Sequence, residues 1–269
     1  MKIVVVGKGG VGKTTVVACL ARLIGRDGYS VIAVDADPSL NLAKALGIDS
    51  NSVYSKPVLF DEEFIKERTL LPDGAYRLNP RVEDVVEKYG IKGPDNVTLL
   101  KLGYVKRGGA RCLCPEYAFL RALLSHLILG RRDVVIVDMV AGLEPMSRGA
   151  ARGVDLMLCI TEPTAKSIDV TQEIFRLSKD IGVKNFAVIG NKVMSDEDRV
   201  FIERSLSGME ILGHLPYDEN VVKSDRLGIA VLDHNPNSPI VAELNMIKKF
   251  ILNFKKAEDN TYKFSTSYK

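Results

Sequence analysis

The chain has 269 residues, 46% of them hydrophobic, and its 37 basic and 34 acidic side chains give a formal net charge of +3. This length and apolar content suit one large α/β domain, and the balanced charge excludes the basic excess typical of nucleic-acid-binding proteins. Apolar runs stay shorter than the roughly 18 residues of a membrane-spanning helix, so we expect neither a nucleic-acid partner nor a membrane partner.

Short β-branched runs alternate with longer segments of helical periodicity along the chain. Strands are predicted at 2–6, 30–34, 96–102, 133–138, 155–160 and 185–190. Helices are predicted at about 13–27, 116–130, 164–181, 196–207 and 238–256. Several strands are apolar on both faces, which is typical of a sheet covered by helices on each side. The pattern predicts an α/β fold with a mostly parallel, doubly wound sheet flanked by helices.

We expect a single domain over residues 1–256. Its irregular part is an insertion at about 46–110, which contains several prolines and a predicted short helix at 81–89. The insertion leads into a pair of closely spaced cysteines. Residues 257–269 carry little apolar content, and we expect this C-terminal tail to fray.

The segment GKGGVGKTT, residues 7–15, lies between the first predicted strand and the first predicted helix. This is the context of the G-x-x-x-x-G-K-[ST] phosphate-binding loop. Its glycines let backbone N–H groups converge on phosphate oxygens, and the helix N-terminus adds its positive dipole end. Lys13 is placed to reach the phosphates of ATP or ADP, and Thr14 to bind Mg²⁺. The candidate nucleotide-binding residues are Gly7, Lys8, Gly9, Gly10, Val11, Gly12, Lys13, Thr14 and Thr15.

Aspartates follow two of the predicted strands, at the edge where open α/β sheets bind their ligands. Asp35 and Asp37 end the stretch VDAD, and Asp138 ends DVVIVD. Behind a phosphate loop, Asp138 is typical of the Walker B aspartate, which holds Mg²⁺ through water. Asp37 also fits the N-cap of a helix beginning near LNLAKAL. A role as N-cap and a role at the ligand-binding edge can hold at once.

Cys112 and Cys114 stand one residue apart in a chain with only four cysteines. Because the chain opens without the pattern of a secretory signal, we expect a cytoplasmic protein with reduced thiols, and therefore a metal site before a disulfide. Residues i and i+2 of an extended segment point to the same side, and zinc or another soft metal takes about four ligands. A two-fold dimer could complete such a site. Cys19 and Cys159 are predicted to be core residues.

The stretch KGGVGKTT resembles the deviant Walker A ATPases, the class that includes nitrogenase iron protein, MinD and ParA. With GARCLCPE, DMVAGLEPMSRGAARGVDLML and EPTAKSIDVTQEI in addition, residues 2 to about 256 are similar to the CooC type of carbon monoxide dehydrogenase accessory ATPase. The resemblance implies a P-loop NTPase fold of the SIMIBI kind and a Mg²⁺-dependent ATPase that dimerises with nucleotide. It also implies Ni²⁺ or Zn²⁺ bound by Cys112 and Cys114, and delivery of nickel to carbon monoxide dehydrogenase or a related nickel–iron–sulfur enzyme.

The same resemblance assigns individual roles. Lys8 is expected to cross the dimer interface and act on the partner's nucleotide. Asp37 is expected to orient the attacking water or to sense the γ-phosphate, with Asp35 near Mg²⁺. The residues expected at adenine are Asn191, Leu215 and Pro216. For Asn191, a structural role as a buried turn residue is the alternative.

Three other functions fit parts of the sequence. An iron–sulfur cluster bridged by two subunits, as in nitrogenase iron protein, would also use two cysteines from each chain. A positioning switch of the MinD or ParA kind would use the last helix, where Ile240, Leu244, Ile247, Ile251 and Phe254 share one face, although packing on the sheet is the favoured interpretation. A permanent zinc staple between subunits would make the cysteines purely structural.

Overall fold

The computed structural model describes residues 1–37, 40–59, 62–71, 82, 84–103, 114–127, 130, 132–143 and 153–265. The strands are β1 Lys2–Gly7, β2 Ser30–Asp35, β3 Ile91–Lys92, β4 Val97–Lys101, β5 Asp133–Asp138, β6 Leu156–Thr161, β7 Phe186–Val193 and β8 Glu210–Pro216. The helices are α1 Lys13–Arg26, α2 Leu42–Ala45, α3 Ser50–Tyr54, α4 Glu62–Thr69, α5 Val85–Tyr89, α6 Cys114–His126, α7 Ala165–Asp180, α8 Asp196–Ser205, α9 Glu219–Leu227, α10 Val231–His234 and α11 Pro239–Ser265.

The strands form an eight-stranded sheet in the order β3-β4-β2-β5-β1-β6-β7-β8. Every neighbouring pair is parallel except β3 and β4, which are antiparallel. The predicted doubly wound α/β fold is therefore confirmed. Because parallel strands end at one edge, the loop after β1 meets the residues that end β2, β5, β6 and β7.

Apolar residues cover both faces of the sheet. Along β1, Ile3 and Val5 pack in a core beneath α1 and α11, whereas Val4 and Val6 pack in a second core with residues of α6 and α7. Successive side chains of a strand point to opposite faces, so a strand buried on both sides must be apolar throughout. The central position of β1 fixes the loop that follows it.

The last helix differs in length from its prediction. α11 continues to Ser265, beyond the predicted end near 256, because no glycine or proline interrupts residues 240–265. Its face with Ile240, Leu244 and Ile247 is buried in the core beneath α1, as the favoured interpretation expected. This burial removes the support that these residues gave to the positioning-switch alternative. Within the described residues, none of the helices has the length and apolar character needed to cross a membrane.

Part of the predicted insertion contributes to the sheet. β4 lies between β2 and β3, and β3 is a two-residue edge strand that the apolar pattern did not predict. The Lys101 amine at the end of β4 is buried, where it donates to the carbonyls of Val53 in α3 and of Lys56 just beyond that helix, and so ties this region to the sheet. Burial lowers the pKa of Lys101. The limits of the insertion stay a prediction.

Candidate functional site

The loop between β1 and α1 needs glycine for two separate reasons. Gly7 has a φ of 143°, and a Cβ there would lie 2.3 Å from the carbonyl oxygen of Ile160 on β6. Gly12 has a φ of 96°, and a Cβ there would lie 2.4 Å from the Asn191 side-chain nitrogen. L-residues rarely adopt this region, and neither neighbour leaves room for a side chain. The sequence motif therefore corresponds to a loop pressed closely against β6 and β7.

Lys13 opens α1 and turns its amine back into the loop. The amine donates to the carbonyl oxygens of Gly7 at 3.3 Å and Lys8 at 3.1 Å. Burial lowers the pKa of Lys13, although the negative charges of Asp138 and Asp37 act in the opposite direction. An ammonium held by carbonyl oxygens at a helix N-terminus is suited to bind phosphate oxygens.

Thr14 and Asp138 meet beside this lysine. The Thr14 hydroxyl donates to Asp138 Oδ2 at 2.6 Å, whereas the buried Asp138 Oδ1 has no hydrogen-bond partner within the described residues. Burial raises the pKa of Asp138 to about 6, against the opposing effects of Thr14 and Lys13. A hydroxyl and a carboxylate with a free oxygen are ligands that Mg²⁺ accepts, directly or through water. These residues therefore fit a magnesium ion.

Asp35 lies opposite Asp138 on the neighbouring strand and shapes the turn that follows β2. Its Oδ1 accepts from the Asp37 N–H at 3.2 Å, and its Oδ2 accepts from the Leu42 N–H at 3.0 Å. Burial, followed by the charge of Asp138, raises the pKa of Asp35 to about 7. Asn41, not Asp37, is the N-cap of α2, so the N-cap alternative for Asp37 is wrong. The first N–H group of that helix, from Leu42, donates to Asp35 instead.

Lys8 points its amine at a carboxylate of its own chain. Lys8 Nζ lies 3.5 Å from Glu162 Oε1, and Lys192 Nζ lies 3.2 Å from Glu162 Oε2. Lys192 also donates to the Gly10 carbonyl at 2.7 Å. Sequence reasoning missed Glu162 and Lys192. Glu162 directly follows β6, and Lys192 lies near the end of β7, so both are at the same sheet edge as Asp138. That position after an apolar strand could have identified them from the sequence.

The three residues expected at adenine occupy different environments. Asn191 is buried, and its side-chain nitrogen donates to the Val11 carbonyl at 2.7 Å. This bond braces the loop. The structural alternative for Asn191, a buried turn residue, agrees with its burial, although the residue lies in β7 and not in a turn. Leu215 is fully buried in the core, whereas Pro216 at the end of β8 is partly exposed. The adenine contacts stay predictions.

The cysteines divide into two groups. Cys19 and Cys159 are buried, and burial raises the pKa of each thiol to about 12, so their prediction as core residues is confirmed. Cys112 lies outside the described residues. Cys114 is the first residue of α6, two residues before the predicted helix start, and its side chain is also outside the described part. No cluster of three or more metal-ligating side chains occurs among the residues that are described.

A parallel sheet whose first strand leads into a glycine-rich loop, a buried lysine and a threonine–aspartate pair defines a P-loop nucleotide-binding protein. Residues 2–231 match the CobQ/CobB/MinD/ParA nucleotide binding domain, and the chain belongs to that family.

An uncharacterised ATP-binding protein of Methanocaldococcus jannaschii is 41% identical over 95% of this chain and 99% of its own length. The carbon monoxide dehydrogenase accessory protein CooC of Rhodospirillum rubrum is 37% identical over 88% of this chain and 91% of its own length. Of solved structures, the MinD cell division protein of Aquifex aeolicus matches with a TM-score of 0.66 and 22% identity, over 94% of this chain and 96% of that one. This last likeness concerns the fold alone.

Proposed function

We propose that the protein is a dimeric, ATP-hydrolysing metallochaperone that delivers nickel to carbon monoxide dehydrogenase or a related nickel–iron–sulfur enzyme. The observation that carries the proposal is the 37% identity with the CooC accessory protein over most of both chains. The Cys112-x-Cys114 pair supports it, because a nickel or zinc cargo needs soft ligands and this chain supplies them in closely spaced form.

Hydrolysis is proposed to follow the chemistry of P-loop ATPases. Water attacks the γ-phosphorus, and the bond to the oxygen bridging the β- and γ-phosphorus breaks, with its electron pair leaving on ADP. Mg²⁺, when bound by Thr14 and through water by Asp138, would offset charge on the phosphate oxygens. Lys13 holds the phosphates, and Asp37 is proposed to orient the water. Asp37 follows β2 at the sheet edge that carries the phosphate loop, which supports this placement.

Lys8 is proposed to complete the site of the partner subunit. A cation that approaches the β–γ bridge stabilises charge developing on the leaving oxygen, as an arginine finger does. The Lys8 side chain is 35% exposed at the rim of the loop, which supports access to a second subunit. Hydrolysis would then require the dimer.

Nickel binding and nucleotide binding are proposed to be linked through the dimer. Closure would bring the two Cys112-x-Cys114 pairs together, and hydrolysis with phosphate release would separate them. Linkage is reciprocal, so the metal must change nucleotide affinity by the factor by which nucleotide changes metal affinity. A metal bound equally well by the open and closed forms would not be delivered by hydrolysis.

The test is size-exclusion chromatography with metal analysis, with and without ATP, on the wild type and on a Cys112→Ala, Cys114→Ala double variant. We expect an ATP-dependent dimer with about one Ni²⁺ or Zn²⁺ per two subunits, which is the stoichiometry of four thiolates around one ion. The double variant should fold and bind ATP but lose the metal. A Cys19→Ala variant is the matched control and should keep it.

Stoichiometric metal in the double variant would contradict the assignment. Full chelation by a single subunit, independent of nucleotide, would contradict the shared site. Visible absorption after anaerobic purification would favour the iron–sulfur alternative. Unfolding by a chelator in both nucleotide states would favour the zinc staple.

A further inference from the structure

Glu162 joins two lysines at the rim of the phosphate loop. Lys8 comes from the loop, Lys192 lies near the end of β7, and the two approach different oxygens of the same carboxylate, at 3.5 and 3.2 Å. Lys192 also holds the Gly10 carbonyl at 2.7 Å. The cluster therefore links the loop, the end of β6 and the end of β7 through one acidic side chain.

The backbone of Glu162 is rigidly placed. Its N–H donates to the Ser167 hydroxyl at 3.1 Å, and the Thr161 hydroxyl lies 3.0 Å from the same oxygen. Ser167 and Thr161 are fully buried, and Thr164 caps the start of α7 through the Ser167 N–H. The Glu162 side chain is 17% exposed, half as exposed as Lys8 at 35%. Glu162 is therefore the more enclosed partner of the pair, and Lys8 is the more exposed one.

The local conformation points to a functional role. Lys192 has a φ of 59°, in the left-handed region that residues with a Cβ seldom occupy. Outliers of this kind persist where the surroundings determine them, and they cluster at ligand sites. Two cations share one anion here, so each pair is weaker than an isolated pair because the two ammonium groups repel each other.

We propose that Glu162 is a positioning residue that holds Lys8 on its own subunit and thereby sets how readily Lys8 reaches the nucleotide of the partner. The proposal rests on the proposed function, in which Lys8 acts in trans. One amine cannot contact Glu162 and the partner's nucleotide at once, so the contact within the subunit competes with closure of the dimer. Partly exposed ion pairs shift an equilibrium by about two- to fivefold, which is enough to tune closure without preventing it.

The first experiment measures the contact without nucleotide. Wild type and Glu162→Gln are pulse-labelled with an amine-reactive reagent, and labelling of each lysine is read by mass spectrometry. We expect Lys8 in the variant to label about two- to fivefold faster, because glutamine keeps the shape but not the charge. Glu173→Gln on α7, which removes an equal charge from an ion pair with Arg176, is the control and should leave Lys8 unchanged. Lys192→Met should slow the labelling of Lys8, because it removes the competing cation.

The second experiment measures dimer closure with ATP and Mg²⁺. We expect the protein concentration that gives half-maximal turnover to fall about two- to fivefold in Glu162→Gln, with kcat at saturating protein unchanged. Unchanged Lys8 labelling, or a dimer that is no stronger than that of the wild type, would overturn the role of Glu162. Failure of the wild type to dimerise with ATP would instead overturn the proposed function, and the labelling result would identify that case separately.

Discussion

Helix α1 has a cluster of charged side chains at each end, and the two clusters are built differently. At the N-terminal end, Lys13 faces Asp138, and one oxygen of Asp138 lacks a hydrogen-bond partner within the described residues. Toward the C-terminal end, the Arg22 guanidinium donates to Asp95 at 2.6 Å and to both oxygens of Asp233 at 2.7 Å. We call the first the open cluster, because one of its carboxylate oxygens lacks a partner within the described residues, and the second the closed cluster, because Arg22 pairs with both of its carboxylates.

The carboxylates report this difference through their pKa values. Burial raises the pKa of Asp138 to about 6, whereas the pKa of Asp95 is lowered, because Arg26 and Arg22 outweigh the effect of burial there. Buried polar groups that serve stability are normally satisfied within the protein, and exceptions cluster at functional sites. We infer that the closed cluster anchors α1 while the open cluster is kept for a ligand.

The largest expected effect breaks function at the open end. Lys13→Met should lower ATP turnover by at least about 10²- to 10³-fold, because a preorganised donor to the phosphates is lost. The free energy of unfolding without nucleotide should stay within about 1 kcal/mol of the wild type, because removing a desolvated cation offsets the loss of its attraction to Asp138, and within the described residues its hydrogen bonds go to loop carbonyls. Phosphate release and urea denaturation measure the two quantities. Turnover close to that of the wild type would show that Lys13 is dispensable.

The next effect breaks stability at the closed end. Arg22→Met should lower the free energy of unfolding by about 1–3 kcal/mol, because it removes a buried guanidinium that pairs with both oxygens of Asp233 and leaves Asp95 with Arg26 alone. Turnover per folded molecule should change less than about twofold. Arg176→Met removes an exposed arginine from pairs with Glu173 and Asp180 and serves as control, with an expected change below about 0.5 kcal/mol. An equal loss in both variants would remove the distinction between the two ends of α1.

The two ends also differed in how far the sequence could predict them. The open end carries recognisable motifs: Lys13 and Thr14 belong to one motif, and Asp138, although 124 positions from Thr14, ends an apolar strand, a pattern that places it at the ligand-binding edge. The closed end joins Arg22 to Asp95 and Asp233, which lie 73 and 211 positions away, and no periodicity connects them. The strand order and the Glu162 cluster could not be predicted either, because they also depend on contacts between residues that no sequence pattern connects. The roles assigned to the site residues stay predictions that these experiments address.

A smaller effect of opposite sign sharpens the comparison. Asp138→Asn should raise the free energy of unfolding without nucleotide by about 1 kcal/mol, because it removes a buried charge that one ammonium offsets incompletely. The amide oxygen can still accept from the Thr14 hydroxyl. Turnover should fall at the same time, since the ligand expected for Mg²⁺ is weakened. Lower stability in this variant would mean that the open cluster is as well satisfied as the closed one.

The smallest effect concerns acid and the closed end. Asp95 has a φ of 54°, a conformation that asparagine tolerates, so Asp95→Asn changes the charge with little backbone strain. A carboxylate with a lowered pKa contributes stability above its unfolded pKa, near 3.9, and that stability is lost as the pH falls through the folded pKa. The variant should therefore be less stable by about 0.5 kcal/mol at pH 7, and the difference in stability should narrow below about pH 4. Urea denaturation of both proteins between pH 3 and 7 measures it. A gap that stayed constant with pH would mean that Asp95 acts through shape and hydrogen bonding, and that its charge does not anchor α1.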